Sequence, residues 1–202
     1  MPIEDYERHF REHERYWLTM PTLFHTIYVW PMAEGFIQRR DWIVENAVGH
    51  DVLDCGCNDG TYIEAVRKKG HKTVGVDLIP LNIQRARILY PDGEFYIMDC
   101  EDLKFKDESF DTVVFTETIE HLVDPRKALR EIYRVMRRGG RLLCTTTYIP
   151  NEPTHYQDFR DKEVLLKLLG EFFTIMSVTI GIAGCIMVIA IRRELDVVES
   201  EE

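Results

Sequence analysis

Val52-Leu53-Asp54-Cys55-Gly56-Cys57-Asn58-Asp59-Gly60 joins a short apolar run to a stretch of helical pattern that begins at Thr61. The run Asp51–Cys55 is too short for a helix and apolar enough for a buried strand, and the glycines after it mark a turn. In open α/β sheets, ligands bind at the carboxyl ends of the strands, where such a strand–turn–helix junction lies. Gly56 and Gly60 would let a ligand approach the backbone closely. Asn58 stands where a middle glycine would be expected, and asparagine adopts left-handed backbone more readily than most residues. A glycine-rich turn alone is a weak signal.

Downstream of this turn the chain alternates. Thr61–Lys69 reads as a helix ended by Gly70, and Lys72–Asp77 as a strand. Pro80 suits the first turn of a helix running to about Leu89, and Pro91-Asp92-Gly93 is a turn. Strands follow at Glu94–Met98 and Ser109–Phe115. Asp124-Pro125 caps a helix expected to run through Arg137, with Gly139-Gly140 stopping it before a strand at Arg141–Thr147. A further helix is expected near Lys162–Leu169. This alternation predicts an α/β fold with a parallel sheet covered on both faces.

Phe172 to Ile191 carries no charge over a length that could span a membrane. Its Ile, Val, Phe and Thr content, broken by Gly181 and Gly184, predicts instead a buried hairpin with strands Phe172–Ile180 and Cys185–Ile191. No aromatic belt follows it, so no membrane partner is expected.

At 202 residues, 45% hydrophobic and 30% charged, the chain has the balance of one globular domain and not of a disordered or fibrous protein. The net charge of −10 argues against a nucleic-acid partner, which needs a basic face. Five acids and no base fall in Glu194–Glu202, so half of that charge belongs to an acidic tail. Residues 1–48 form a separate segment. It is charged up to Tyr16, then aromatic at Trp17, Phe24, Tyr28, Trp30, Phe36 and Trp42, with breaks at Pro21 and Pro31. Two or three short helices there would serve as a packing cap or as a lid over a ligand. The expected organisation is therefore a cap or lid over 1–48, a main domain over 49–193 and an acidic tail over 194–202. The cysteines, Cys55, Cys57, Cys100, Cys144 and Cys185, are odd in number, and no signal peptide opens the chain at Met1-Pro2-Ile3. Both features suggest a reducing, cytoplasmic setting with structural thiols.

Further elements follow the first turn in order. Val74-Gly75-Val76-Asp77 ends the second strand on an acid that can accept both hydroxyls of a ribose. Met98-Asp99-Cys100 ends the third, where an Asp can meet an adenine amino group. Then come Ser109-Phe110-Asp111-Thr112-Val113-Val114, Glu120-His121-Leu122-Val123-Asp124-Pro125, and Arg134-Val135-Met136-Arg137-Arg138-Gly139-Gly140. With these motifs the chain resembles the class I S-adenosylmethionine-dependent methyltransferases over roughly residues 48–192. The departure is Asn58 for the usual glycine.

The resemblance implies a Rossmann-like, seven-stranded and mostly parallel sheet with helices on both faces, closed by a terminal antiparallel hairpin. It implies S-adenosylmethionine as cofactor and S-adenosylhomocysteine as product. By position it puts Asp54, Gly56, Cys57, Asn58 and Gly60 around the methionine part, with Glu117 beneath it. Asp77 falls on the ribose hydroxyls, Leu78 beside the adenine, and Asp99 with the Cys100 backbone N–H on the adenine edge.

Four residues could act on the acceptor: Glu117, Glu120, His121 and His155. The first three have the spacing i, i+3, i+4, which predicts one face of a helical turn. His121 or His155 could serve as a general base. The four together could hold a divalent ion, and the small-RNA 2′-O-methyltransferases have a similar Glu-x-x-Glu-His set with a later His. Glu120 and His121 could also merely orient the helix at Asp124. His9, His13, His25 and His50 show no metal spacing. The leading expectation is an enzyme that methylates a small molecule at oxygen, as a monomer or homodimer, with His121, His155 and Glu120 catalytic and no metal. The alternatives are a metal-assisted RNA 2′-O-methyltransferase and a non-catalytic cofactor-binding subunit.

Overall fold

The computed structural model describes residues 32–147 and 155–193. Helix α1 (Met32–Asn46) leads into β1 (Asp51–Cys55), α2 (Thr61–Arg67), β2 (Lys72–Asp77), α3 (Pro80–Leu89), β3 (Glu94–Ile97) and β4 (Phe110–Thr116). A single 3₁₀ turn at Ile119–His121 precedes α4 (Pro125–Val135) and β5 (Met136–Thr146). Helix α5 (Lys162–Gly170), β6 (Phe173–Ile180) and β7 (Ile186–Arg192) complete the described chain. The strands form one seven-stranded sheet in the order β3-β2-β1-β4-β5-β7-β6. Pairing is parallel from β3 through β5, and β7 runs antiparallel to both β5 and β6. The order reverses beside β1, where β2 lies on one side and β4 on the other, the switch point at which such sheets hold ligands.

Alternation along the central strands divides the core between the two faces of the sheet. Leu53 and Cys55 of β1, with Val113 and Phe115 of β4, pack in one apolar cluster with Leu129 and Ile132 of α4 and Leu165 of α5. Val52 and Val114 point the other way, into a cluster with Ile43 of α1, Ile63 and Val66 of α2 and Ile83 of α3. Local chemistry starts the helices where the sequence suggests. Asp124 caps α4 by accepting the Arg126 N–H at 3.2 Å, and Asp161 caps α5 by accepting the Glu163 N–H at 3.0 Å.

The structure corrects the sequence reading in two places. Helix α4 stops at Val135, before Gly139-Gly140, because the Arg134 and Val135 carbonyls accept the Glu108 and Ser109 N–H groups at 3.0 and 2.8 Å. Strand β5 therefore starts at Met136 and carries both glycines in an irregularity, where its pairing partner steps from Phe110 to Thr112 while β5 advances from Met136 to Arg141. The apolar segment 172–191 does form β6 and β7, but its burial is unequal. Ile186, Met187, Val188 and Ala190 of β7 are buried between two strands, whereas in β6, at the sheet edge, only Phe173 is buried. Among the described residues no helix is long and apolar enough to cross a membrane. All five cysteines are buried free thiols. The acidic tail and most of the 1–48 segment lie outside the described residues. The described part of that segment, α1, packs on the main domain through Ile43 and through Phe36, whose ring stacks on Tyr62 at 4.7 Å.

Candidate functional site

The turn after β1 is bound to β2. The Gly56 and Cys57 N–H groups both donate to the Val76 carbonyl, at 2.8 and 2.9 Å, and the Asn58 N–H donates to Asp77 Oδ2 at 2.9 Å. Asn58 has φ 51°, the left-handed conformation its residue type suggests. The two glycines make room for protein neighbours. A Cβ at Gly60, where φ is 81°, would lie 2.6 Å from the Phe95 ring, and one at Gly56 would lie 2.2 Å from Thr118 Oγ1. Cys57 presents only its backbone at the turn, since its side chain is buried and packs in the cluster with Val52 and Phe95.

Two acids sit beneath this turn. Asp77 ends β2 as a local organiser: Oδ1 accepts the Ile79 N–H at 2.9 Å and the Asn82 side-chain amide at 3.2 Å. Burial raises its carboxyl above the usual range, against the pull of those donors. Asp54, 1% exposed, has no hydrogen-bond partner on either carboxylate oxygen. Burial, reinforced by the neighbouring Asp77 charge, pushes its carboxyl up to about 8. A buried carboxyl without a donor is costly, so both oxygens are suited to a bound group that brings donors or positive charge. Beyond Asp77, Leu78 is exposed on the same rim. Asp99 follows the next strand in a turn, with Oδ1 accepting the Glu101 N–H at 2.8 Å, and the Cys100 thiol beside it is buried and pushed up by that burial.

At the exit of β4 the expected single face of a helical turn divides. Glu117 precedes the 3₁₀ turn with φ 47°, a left-handed conformation rare for its type. Its side chain goes to α1: Oε2 lies 3.0 Å from Arg39 Nη1, while Oε1 accepts the Thr145 hydroxyl at 2.9 Å. Arg39 also donates to the Tyr62 hydroxyl and to Thr147 Oγ1, each at 3.2 Å. Burial works against the Arg39 charge, but Glu117, Tyr62 and Cys185 together outweigh it and the guanidinium stays protonated. Burial likewise pushes the Tyr62 hydroxyl up to about 12. Arg39 is a site residue that sequence reasoning missed. The signal for it was a basic residue three and four positions from Phe36 and Ile43, on the inward face of α1.

Glu120, His121 and His155 come together without Glu117. The Glu120 carbonyl accepts the Tyr156 and Gln157 N–H groups at 2.8 and 3.1 Å, which brings the start of the following segment onto the 3₁₀ turn. The His121 and His155 rings meet edge to face with centroids 4.8 Å apart. One donor atom from each of the three residues lies within 4.8 Å of the others. Glu120 is 2% exposed, its Oε2 has no hydrogen-bond partner, and burial and then the Glu117 charge raise its carboxyl well above the usual range. A groove of about 450 Å³ lies between α5 and the hairpin, lined by Phe159, Arg160, Lys162, Ile180 and Ile186.

Residues 53–144 match the family model described as a methyltransferase domain. The chain is 29% identical over 150 residues to a probable S-adenosylmethionine-dependent methyltransferase of Mycolicibacterium smegmatis, covering 72% of this chain and 57% of that protein. It is 33% identical over 115 residues to a ubiquinone biosynthesis O-methyltransferase of Pseudomonas entomophila, covering 54% of this chain and 50% of that protein. Among solved structures, the PH0226 protein of Pyrococcus horikoshii shares the fold with a TM-score of 0.72 and 20% identity, over 89% of this chain and 99% of that one. The chain thus spans about half the length of the curated relatives it matches.

Proposed function

This chain belongs to the class I S-adenosylmethionine-dependent methyltransferases, and we propose that it transfers a methyl group to an oxygen of a small, apolar or aromatic acceptor. The observation that carries the reading is Asp54, buried at the sheet's switch point with both carboxylate oxygens unpartnered. S-adenosylmethionine supplies, when bound, a methyl group already activated by a sulfonium leaving group. The residues present fit that cofactor. Asp54 lacks donors, and the cofactor carries an ammonium and a sulfonium. Asp77 would accept from the ribose hydroxyls while its other bonds hold the turn. Leu78 would lie against the adenine, with Asp99 and the Cys100 N–H at its edge. Gly56, Cys57, Asn58 and Gly60 would bound the methionine end through their backbone, with Glu117 near it. Arg39 offers the same end a guanidinium for its carboxylate.

With an activated methyl group, the protein's main task is alignment of the acceptor. Glu120, His121 and His155 stand on the same rim and would assist loss of the acceptor's hydroxyl proton, His121 foremost because it adjoins the exit of β4. The groove at Phe159 and Ile186 offers apolar walls for an acceptor, and the ubiquinone-biosynthesis relative supports a small aromatic one. Helix α1, anchored by Arg39, would flank the site. The test is incubation with S-adenosylmethionine and a panel of phenols and catechols, read by mass spectrometry. Methyl ethers formed together with S-adenosylhomocysteine are expected. Methylation at nitrogen or carbon alone would overturn the oxygen assignment.

A further inference from the structure

Asn82 of α3 is 2% exposed, and its Oδ1 has no hydrogen-bond partner among the described residues. Its helix neighbours Ile83 and Ala86 are buried in the apolar cluster. A buried amide oxygen left unpaired costs stability, so packing alone would favour an apolar residue at this position. The other end of the amide explains the asparagine: Nδ2 donates to Asp77 Oδ1 at 3.2 Å. Asp77 receives two more donors, the Ile79 N–H on Oδ1 and the Asn58 N–H on Oδ2, each at 2.9 Å. Those two are backbone groups, which any residue but proline would supply. The donor from α3 depends on the residue type at position 82.

We propose that Asn82 is a positioning residue for the cofactor: it fixes the Asp77 carboxylate in the orientation that the ribose hydroxyls meet. The proposal rests on the reading above that Asp77 accepts from the ribose. Donors on both oxygens, from α3 and its first turn on one side and from the β1 turn on the other, stop the carboxylate from turning about its Cβ–Cγ bond. The acceptor is therefore set before the ligand arrives, which lowers the cost of binding. The same donors act on the charge. Burial favours the neutral carboxyl, and hydrogen bonds to the ionised form oppose it. No cation near Asp77 helps them among the described residues. Asp54 on β1 is a second acid, and Cys57 in the β1 turn and Cys100 after β3 are buried thiols pushed up by that burial.

The experiment is calorimetric titration of S-adenosylhomocysteine into the parent, Asn82→Leu, Asn82→Ala, Asp77→Asn and the double variant Asp77→Asn/Asn82→Leu, with an unfolding curve for each full chain. The two Asn82 variants lack the donor but differ in volume, so a shared loss belongs to the donor and not to packing. Each should bind about 5- to 30-fold more weakly than the parent. In the Asp77→Asn background, adding Asn82→Leu should change affinity by less than about 2-fold, because Asn82 acts through the carboxylate. The loss in Asn82→Leu should also grow as pH falls from 8.5 to 6. Without the amide donor the Asp77 carboxyl rises further, and it must then give up a proton to accept from both hydroxyls. Asp54 titrates in parent and variant alike, so the readout is the ratio of their affinities at each pH. Parent-like affinity in both Asn82 variants, with weak binding by Asp77→Asn, would overturn the positioning role and leave the ribose reading standing. A loss of the same size in both backgrounds, or one that is flat with pH, would reduce Asn82 to packing. Full affinity in Asp77→Asn would overturn both readings.

Discussion

Arg39 of α1 and Glu117 at the exit of β4 form a mostly buried ion pair at 3.0 Å, which ties the N-terminal helix to the carboxyl rim of the sheet. Glu117 holds a left-handed backbone conformation in making it. The pair fixes α1 against the exit of β4, and Glu117 is not among the group formed by Glu120, His121 and His155.

Arg39→Ala should strip the Glu117 carboxylate, the Tyr62 hydroxyl and Thr147 of a shared partner. The expected cost is about 2–4 kcal/mol in urea unfolding, because a part-buried acid is left uncompensated. Arg39→Lys should recover part of it, since the charge returns without the planar fork. Equal stability in all three proteins would show that α1 is held by its apolar face alone.

Gly60→Ala should lower stability by about 2–5 kcal/mol, combining left-handed backbone strain with a Cβ forced against the Phe95 ring. At Gly70, with φ 98°, a Cβ would meet nothing within 4 Å, so Gly70→Ala should cost only the backbone share of about 1–2 kcal/mol. The difference between the two unfolding curves measures the packing at the turn. Equal losses would mean that Phe95 yields freely.

Asp54 gives the cofactor-free protein a pH dependence of definite sign. Its folded carboxyl titrates at about 8, above the ordinary 3.8, so the folded state holds the proton that the unfolded chain releases. Its contribution is fully present below pH 4 and is lost as pH rises toward 8, at up to about 1.4 kcal/mol per pH unit. Asp77 and Glu120, also raised by burial, act in the same direction. Asp54→Asn should therefore be less sensitive than the parent between pH 5 and 8 in parallel denaturant melts. Identical slopes would show that Asp54 is ionised in the folded protein.

His121→Ala and His155→Ala should each slow methyl transfer by about 10²–10⁴-fold while the cofactor dissociation constant stays nearly unchanged, because proton loss from the acceptor contributes in the transition state. Single-turnover rates and separate binding titrations check this. Full activity in both variants would leave alignment as the whole mechanism.

Much of this architecture is readable from local chemistry. The β1 turn, the acid at Asp77, Pro80 at a helix start and Asp124 at a cap are each set by residues within a few positions of one another. The left-handed Asn58 is equally local, since its residue type alone favours that conformation. What escaped the sequence depends on distant partners. Glu117 and Glu120 have helical spacing, yet Arg39 and Thr145 engage Glu117, and neither is near it in the chain. The end of α4 is set by hydrogen bonds from the segment before β4, which override the stop signal of Gly139-Gly140. Gly56 and Gly60 were readable as required glycines, but not that Thr118 and Phe95 occupy the space they leave.

The central claim is that the rim at Asp54 and Asp77 binds S-adenosylmethionine. Its most direct test is calorimetric titration of the cofactor into the parent and into Asp77→Asn, a change that keeps an acceptor for the Ile79 N–H. Loss of the charged acceptor for two hydroxyls, worth about 1.5–3 kcal/mol, predicts stoichiometric binding by the parent and binding about 10- to 150-fold weaker in the variant. No heat of binding in the parent, or the same affinity in both, would contradict it.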